Sequence, residues 1–403
     1  MRIAIVSDCY WPRVNGVTVS AQSYSEQLIK MGHEVLLLCP SYPASWGSVP
    51  AEAWVKRLHS GNNLVSNEDR LVSLAAFPAF FHALDRFNPD VIHVNTEFTA
   101  NTAARIYVKA RGYPLLVTSH TDWEDYICNY IRFIDPRIMR AFARFVMRML
   151  FRSPEVVITP SLNQQRKLKS YNIRKHFIVI PTGIPCIFSP KGKDEIAAYR
   201  ALLYGRFPVL RGKRIMLFAG RITIEKDAKF LIPVLRRVLE RKRDVALVFA
   251  GDGPARAQLE ATIKSGKLSD HCVFMGYVGR GELPLVYAAS DVFVFPSKTE
   301  TQGLCTIEAM GTGLPVVAVG EMGTLDVMRG DNGGFMVKND VAEFAEATLR
   351  LLEDEDLRAA KSTEAVEWAK QYRIEVTTVR LLRLYKVLSS RHAQLLRLRS
   401  GIR

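Results

Sequence analysis

Two carboxylates, Glu300 and Glu308, stand eight positions apart on either side of Gly303 in the stretch 293–317, FVFPSKTETQGLCTIEAMGTGLPVV. An apolar run at 292–295 closes on Pro296 and Ser297, a polar loop follows, and a segment with helical spacing carries Glu308. The pattern predicts strand, loop and helix, with Glu300 on the loop. Free backbone N–H groups and the positive end of the dipole at such a helix start attract an anion such as a phosphate. Ionised carboxylates accept hydrogen bonds from paired hydroxyls. An acid on each side of an anion site therefore suits the hydroxyls of a sugar nucleotide. A solvated loop glutamate and a surface helix glutamate would share this spacing, so the rest of the chain has to decide.

Two cations follow another predicted strand. RIMLFAGRITIEKD, from Arg214, ends its apolar run at Gly220, with Arg221 next and Lys226 five positions further on. Arginine offers a planar fork and lysine a point charge, a pairing that suits a diphosphate. Cations at a helix start oppose its dipole, which favours an anionic partner over two idle surface charges. His120 follows the strand-like LLVTS, and Asp122, Glu124 and Asp125 stand in the same loop. His93 and Glu97, in VIHVNTEF, lie at another strand end and are placed on the acceptor side together with the three loop acids. A DxD at Asp354–Asp356 reads instead as a polar helix start.

These residues need a frame to hold them. RIAIVS near the N-terminus, a helical stretch after Asn15-Gly16-Val17 and the strand EVLLLCP form a β-loop-α-β unit. Strand-like runs VIHV, LLVTS and VVIT alternate with helical patterns, which predicts a parallel sheet covered on both faces. Ligands in such sheets bind at the carboxyl ends of the strands. A second unit of the same kind begins at Arg214, continues through DVALVFAGDGP and CVFMGYV, and reaches the Glu300 stretch.

The chain has 403 residues, 48% of them hydrophobic, and a net charge of +15. That length predicts two domains, and the composition excludes disorder. The six cysteines form no CxxC pair and no metal-ligand spacing, so reduced thiols are expected and no metal site is. The N-terminal apolar run is too short for a signal peptide, and no stretch approaches the roughly eighteen apolar residues of a spanning helix. A cytoplasmic protein is expected, with an anionic membrane or nucleic acid as the surfaces that tolerate its charge.

Taken together these motifs resemble the retaining family-4 glycosyltransferases. Glu300 and Glu308 form an E-x7-E signature, GRITIEK resembles GRxxxEK, and TETQGL with EAM and GLPVVA resembles the glycolipid-synthesising members. HTDWEDY resembles their HTxxEDY. The diacylglycerol glucosyltransferases and phosphatidylinositol mannosyltransferases are the nearest in kind. The resemblance implies a GT-B fold: two Rossmann-like domains facing each other across a cleft, with a C-terminal helix crossing back to the first. The expected divisions are an acceptor domain at 1–188, a nucleotide-sugar domain at 189–372, and returning helices at 373–403.

It also implies roles. Arg221 and Lys226 hold the donor diphosphate, Glu308 the ribose, Glu300 the transferred sugar, and His120 donates a hydrogen bond beside it. The glycine loop at Gly16, the backbone of Gly276, Tyr277 and Val278, and the turn Gly303, Leu304 and Cys305 complete the donor contacts. No cofactor is required beyond the nucleotide sugar. UDP-glucose is the favoured donor and a lipid such as diacylglycerol the acceptor. A soluble glycan or small-molecule acceptor, or a non-catalytic nucleotide-sugar-binding protein, are the alternatives.

Between 132 and 175 eleven basic residues face only Asp135 and Glu155, a local charge of +9. Pro136 suits a helix start, and Arg137, Arg140, Arg144, Arg148 and Arg152 recur at three and four, on one face. Apolar residues between them make a basic amphipathic helix, the pattern of a membrane-surface element. Each cation near an anionic leaflet contributes about 1 kcal/mol. The protein is thus expected to sit peripherally on the inner face of the cell membrane. A solvated face with an apolar core side is the other reading. With no nucleic-acid-binding motif in the chain, nucleic acid is not expected as a partner.

Overall fold

The computed structural model describes residues 1–46, 52–62, 70–124 and 135–400. The chain forms two compact units, Met1–Gly183 with Ile374–Arg403, and Ile184–Arg373.

The first unit contains β1 (Arg2–Val6), β2 (Glu34–Pro40), β3 (Val55–Leu58), β4 (Ser60–Asn62), β5 (Arg70–Val72), β6 (Val91–Val94), β7 (Leu115–Thr118), β8 (Val156–Thr159) and β9 (His176–Val179). Seven of them make a parallel sheet in the order β3-β2-β1-β6-β7-β8-β9, and β4 pairs with β5 antiparallel. Successive side chains of a strand point to opposite faces, and here both faces are covered. Ala4, Val6, Ile92 and Val94 enter one core, while Ile3, Ile5, Val91 and Leu116 enter the other. That second core is completed by Leu381, Leu382, Tyr385 and Leu388 of the final helix, Ile374–Ser400.

The second unit contains β10 (Arg214–Ala219), β11 (Val245–Ala250), β12 (Cys272–Gly276), β13 (Val292–Phe295), β14 (Val316–Val319) and β15 (Gly334–Val337). They form a parallel sheet in the order β12-β11-β10-β13-β14-β15. Strand order reverses between β10 and β13, which pair through Met216 and Leu217 with Val292 and Phe293. The two loops that leave their carboxyl ends are those of Arg221 and Glu300, so topology alone makes these loops neighbours. Ile184 and Phe188 pack into this unit's core and the Ile184 N–H donates to the Tyr372 carbonyl at 2.8 Å. The contact boundary therefore falls before Ile184 rather than after residue 188. Asp354 caps the helix Glu355–Ala369 by accepting from the Leu357 N–H, which is the local role its sequence suggested.

Candidate active site

The second unit gathers its site from three loops. After β10, the Ile222 N–H donates to the Asp252 carbonyl and the Ile222 carbonyl accepts from the Ala255 N–H. These bonds fix the Arg221 turn against the loop that follows β11. The short turn Ile224–Lys226 then delivers Lys226, whose ammonium bonds Glu300 Oε1. Ser297 Oγ donates to the same oxygen at 2.7 Å, and the Phe295 ring lies 5.8 Å from the ammonium. Burial by itself would lower the Lys226 pKa, but the Glu300 carboxylate outweighs it and holds the ammonium above its ordinary value, with Arg221 close enough to oppose the effect. Arg221 itself lies 3.6 Å from Glu225.

Glu300 is buried, and its loop is tied down by the Gly323 N–H, which donates to the Glu300 carbonyl at 2.7 Å. A Cβ at Gly323 would stand 2.6 Å from the Gln302 nitrogen and 2.7 Å from the Glu300 carbonyl oxygen. Only glycine permits that approach. Gly303, at φ 91°, starts the helix Leu304–Gly311 and has no side chain to cap it. The N–H groups of Leu304 and Cys305 therefore open the helix with no intrahelical acceptor, as first-turn donors do.

Glu308 is buried in that helix. Arg280 NH1 lies 3.4 Å from its Oε1, and the Tyr287 hydroxyl donates to Oε2 at 3.4 Å. Burial pushes the Glu308 carboxyl up, and Arg280 pulls it back. The Arg280 guanidinium lies over Phe188, 5.2 Å from the ring centroid. Cys305 sits among these groups: burial raises its thiol, as do Glu300 and Glu308, while Lys226 lowers it. Gly276 ends β12, Tyr277 is exposed and Val278 is buried beside it. Ser297, Arg280, Tyr287 and Gly323 carry this geometry and were not singled out as site residues by the sequence.

In the first unit Gly16 opens the helix Gly16–Lys30, and Asn15 caps it by accepting from the Thr18 N–H. His120, at the end of β7, lies with Nε2 3.2 Å from Asn95 Oδ1, and burial lowers its pKa to about 4. It is a neutral imidazole at pH 7. Glu97 is buried, with Oε1 unpartnered among the described residues, and burial raises its pKa to about 8.

One acceptor-side expectation needs correction, and two of the loop acids have cationic partners in the same unit. His93 is 2% exposed because it lies within β6 rather than beyond it; its Nδ1 is 2.6 Å from the Tyr385 hydroxyl and its Nε2 2.6 Å from Thr118 Oγ1. It joins the sheet to the final helix. Asp122 is bonded to Lys167, and Glu124 accepts from Arg144 Nε at 2.5 Å. Both acids are engaged in ion pairs that hold their loop. Asp125 lies outside the described residues.

The basic helix spans Pro136–Leu150, capped by Asp135. Met139, Ala143, Met147 and Leu150 enter the core. Ile138, Phe142, Phe145 and Met149 are 63%, 52%, 55% and 49% exposed. The helix thus presents three faces: core, exposed apolar stripe and arginine stripe. Arg137, Arg140 and Arg152 are exposed, whereas Arg144 is drawn back to Glu124 and Arg148 Nε donates to the Tyr171 carbonyl. Among the described residues no helix is long and apolar enough to cross a membrane, and no three His, Cys, Asp or Glu side chains are grouped to hold a metal ion.

A family model described as Glycosyltransferase Family 4 matches residues 14–187, and one described as Glycosyl transferases group 1 matches residues 213–354. The chain belongs to these glycosyltransferases and is an enzyme. Among its relatives, the alpha-monoglucosyldiacylglycerol synthase of Streptococcus pneumoniae is 28% identical over 322 residues, covering 79% of this chain and 71% of that one. The protein of the same name from Acholeplasma laidlawii is 25% identical over 390 residues, covering 93% and 94%. Solved structures of the same fold include a sucrose-phosphate synthase from Thermosynechococcus elongatus, with TM-score 0.77, 20% identity and coverage of 96% and 99%. Anabaena HepE in complex with UDP-glucose has TM-score 0.75 and 18% identity, with coverage of 96% and 100%. These likenesses establish a GT-B fold.

Proposed function

We propose that this enzyme is a retaining hexosyltransferase that moves a hexose from a nucleotide sugar, with UDP-glucose favoured, to a membrane lipid such as diacylglycerol. The observation that carries the reading is the joining of Lys226 to Glu300 at the carboxyl ends of β10 and β13, with Arg221 and Glu308 close by. Lys226 keeps two N–H groups beyond the one given to Glu300. With Arg221 and the N–H groups of Leu304 and Cys305 they neutralise the diphosphate as it departs. Glu300 accepts from hydroxyls of the hexose, Glu308 from the ribose, and the backbone of Gly276, Tyr277 and Val278 holds the base. Neutral His120 stands beside the sugar, and its one N–H, held at Nε2 by Asn95 Oδ1, turns to a sugar hydroxyl when the donor binds.

In the step itself the acceptor oxygen forms a bond to the anomeric carbon on the face from which the phosphate oxygen leaves. The acceptor's proton passes to that phosphate oxygen. The protein supplies positioning and positive charge, and no metal is needed for the charge balance.

The lipid acceptor is supported by the two glucosyldiacylglycerol synthases among the relatives, and the donor by the UDP-glucose complex of HepE. A peripheral position on the cytoplasmic face of the membrane is supported by the exposed Ile138, Phe142, Phe145 and Met149 beside arginines. The test is incubation with a panel of radiolabelled nucleotide sugars and a total lipid extract. A labelled α-glycosyl lipid is expected. Label appearing only in water-soluble product would refute the lipid acceptor.

A further inference from the structure

We infer that Arg280 reads the nucleobase of the donor: its NH2 group donates to the base carbonyl next to the ribose, and this contact makes the enzyme select a pyrimidine nucleotide over a guanine one. The inference rests on the assignment of Glu308 to the ribose made above and adds to it the residue that chooses the base. Arg280 stands two positions beyond Val278, in a turn closed by the N–H groups of Glu282 and Leu283, which donate to the Gly279 carbonyl at 3.0 and 2.9 Å. Its side chain is pinned on two sides. The guanidinium lies 5.2 Å from the Phe188 ring centroid, and NH1 lies 3.4 Å from Glu308 Oε1. Phe188 is in turn held edge-on by Tyr287, with ring centroids 6.1 Å apart. Burial raises the Tyr277 phenol and the Arg280 charge opposes it, so the guanidinium is also close to the loop assigned to the base. Arg280 thus lies between the acid that takes the ribose and the backbone that takes the base.

The guanidinium lacks one partner. NH2 is buried and has no acceptor among the described residues. A buried donor on a charged group is costly to leave unpaired, and a guanidinium can only donate, so the ligand has to bring an acceptor. NH1 and NH2 stand on one carbon. The atom that pairs with NH2 is therefore a near neighbour of the ribose hydroxyl that Glu308 accepts from. In a nucleotide that neighbour is the edge of the base that borders the sugar. Pyrimidines carry a carbonyl oxygen on this edge, whereas guanine adds an amino group that is itself a donor. Uracil thus gives NH2 its acceptor, and guanine sets donor against donor. A site built around a hydrogen-bonding group rejects a ligand that leaves it unpaired more strongly than an apolar pocket rejects a change of shape.

The test is calorimetric titration of the full-length protein with UDP and with GDP. The wild type should bind UDP at least about tenfold more tightly than GDP. Arg280→Ala should bring the two affinities within about threefold of each other. Arg280→Lys keeps a cation beside Glu308 without the fork and should also lose the preference, which decides the matter if the alanine variant fails to fold. The ratio of the two affinities is the readout that a purely supporting role would not move. Arg280 acting only through Glu308 would weaken UDP and GDP alike, because both carry the same ribose. A wild type that binds GDP as well as UDP, or a ratio unchanged in both Arg280 variants, overturns the inference. Glu308→Gln separates it from the reading it rests on. If that variant binds both nucleotides as the wild type does, the ribose assignment falls and the inference with it. If it weakens both while the Arg280 variants keep the wild-type ratio, the inference alone falls.

Discussion

Glu308 shows how one side chain depends on another far away in sequence. Buried in a helix, its carboxyl is pushed up, and Arg280 is the cation that keeps it in check. Tyr287 and Cys305 are the other titratable groups beside it. Arg280→Ala should therefore leave Glu308 protonated at higher pH than before. Donor KM in that variant should rise as pH falls from 8 to 6, more steeply than in the wild type, and Arg280→Lys should recover part of the loss. Parallel pH profiles for wild type and Arg280→Ala would contradict this role. Glu97 gives a stability test. Its folded pKa, about 8, lies above the usual carboxylate range, so the folded state holds a proton that the unfolded chain has released. Its contribution is complete below the unfolded value and is lost as pH rises toward 8. Glu97→Gln should flatten the fall of Tm between pH 5 and 8, and an unchanged slope would contradict the assignment. The E-x7-E acids were legible because both sit inside one strand-loop-helix pattern. Arg280, Ser297 and Tyr287 were not, because their contacts depend on how other loops pack. His93 was misplaced by one turn of logic: it stands near a strand's end, yet the strand still contains it.

At the scale of elements, the loop bearing Glu300 has no regular structure and takes its position from the helix Gly323–Val327 beneath it. Gly323→Ala would force a methyl into backbone atoms of Gln302 and Glu300 that have little room to give. Overpacking of this kind costs about 1–3 kcal/mol, and a shift of about 1 Å in a reacting group costs about a hundredfold in rate. The variant should fold with a Tm a few degrees lower and lose kcat by about that factor. Wild-type kcat would show that the loop does not need this support. Hydrophobic runs revealed the central strands of both sheets, since buried parallel strands read as continuous apolar stretches. The strands between 55 and 72 gave no such signal, being short and carrying Lys56, Arg57 and Arg70. For the basic helix, periodicity found the arginine face but could not say which apolar residues the core would take. Met139, Ala143 and Met147 go inward, and the aromatics stay out.

For the molecule as a whole, the chain order differs from the order of its units. The last helix belongs with the first sheet, where Leu381, Leu382, Tyr385 and Leu388 are buried against it and Tyr385 meets His93. Ending the chain at Arg373 would strip five side chains from that core, Ile374 with those four, at about 2–5 kcal/mol for each large one lost. That sum is as large as the whole stability of an ordinary domain. The first unit should then fail to unfold cooperatively in calorimetry, and a retained transition would contradict the shared core. Two domains were legible from length and from the repeated strand-glycine pattern. The boundary was not, because Ile184 and Phe188 look like linker until the core they fill is known. The central claim, that Glu300 positions a hexose whose diphosphate is held by Arg221 and Lys226, is tested most directly by the single-turnover rate of labelled hexose transfer in Glu300→Gln. The account predicts a rate lower by about a hundredfold or more, with donor Kd within about threefold of wild type. Transfer at the wild-type rate in that variant would contradict it.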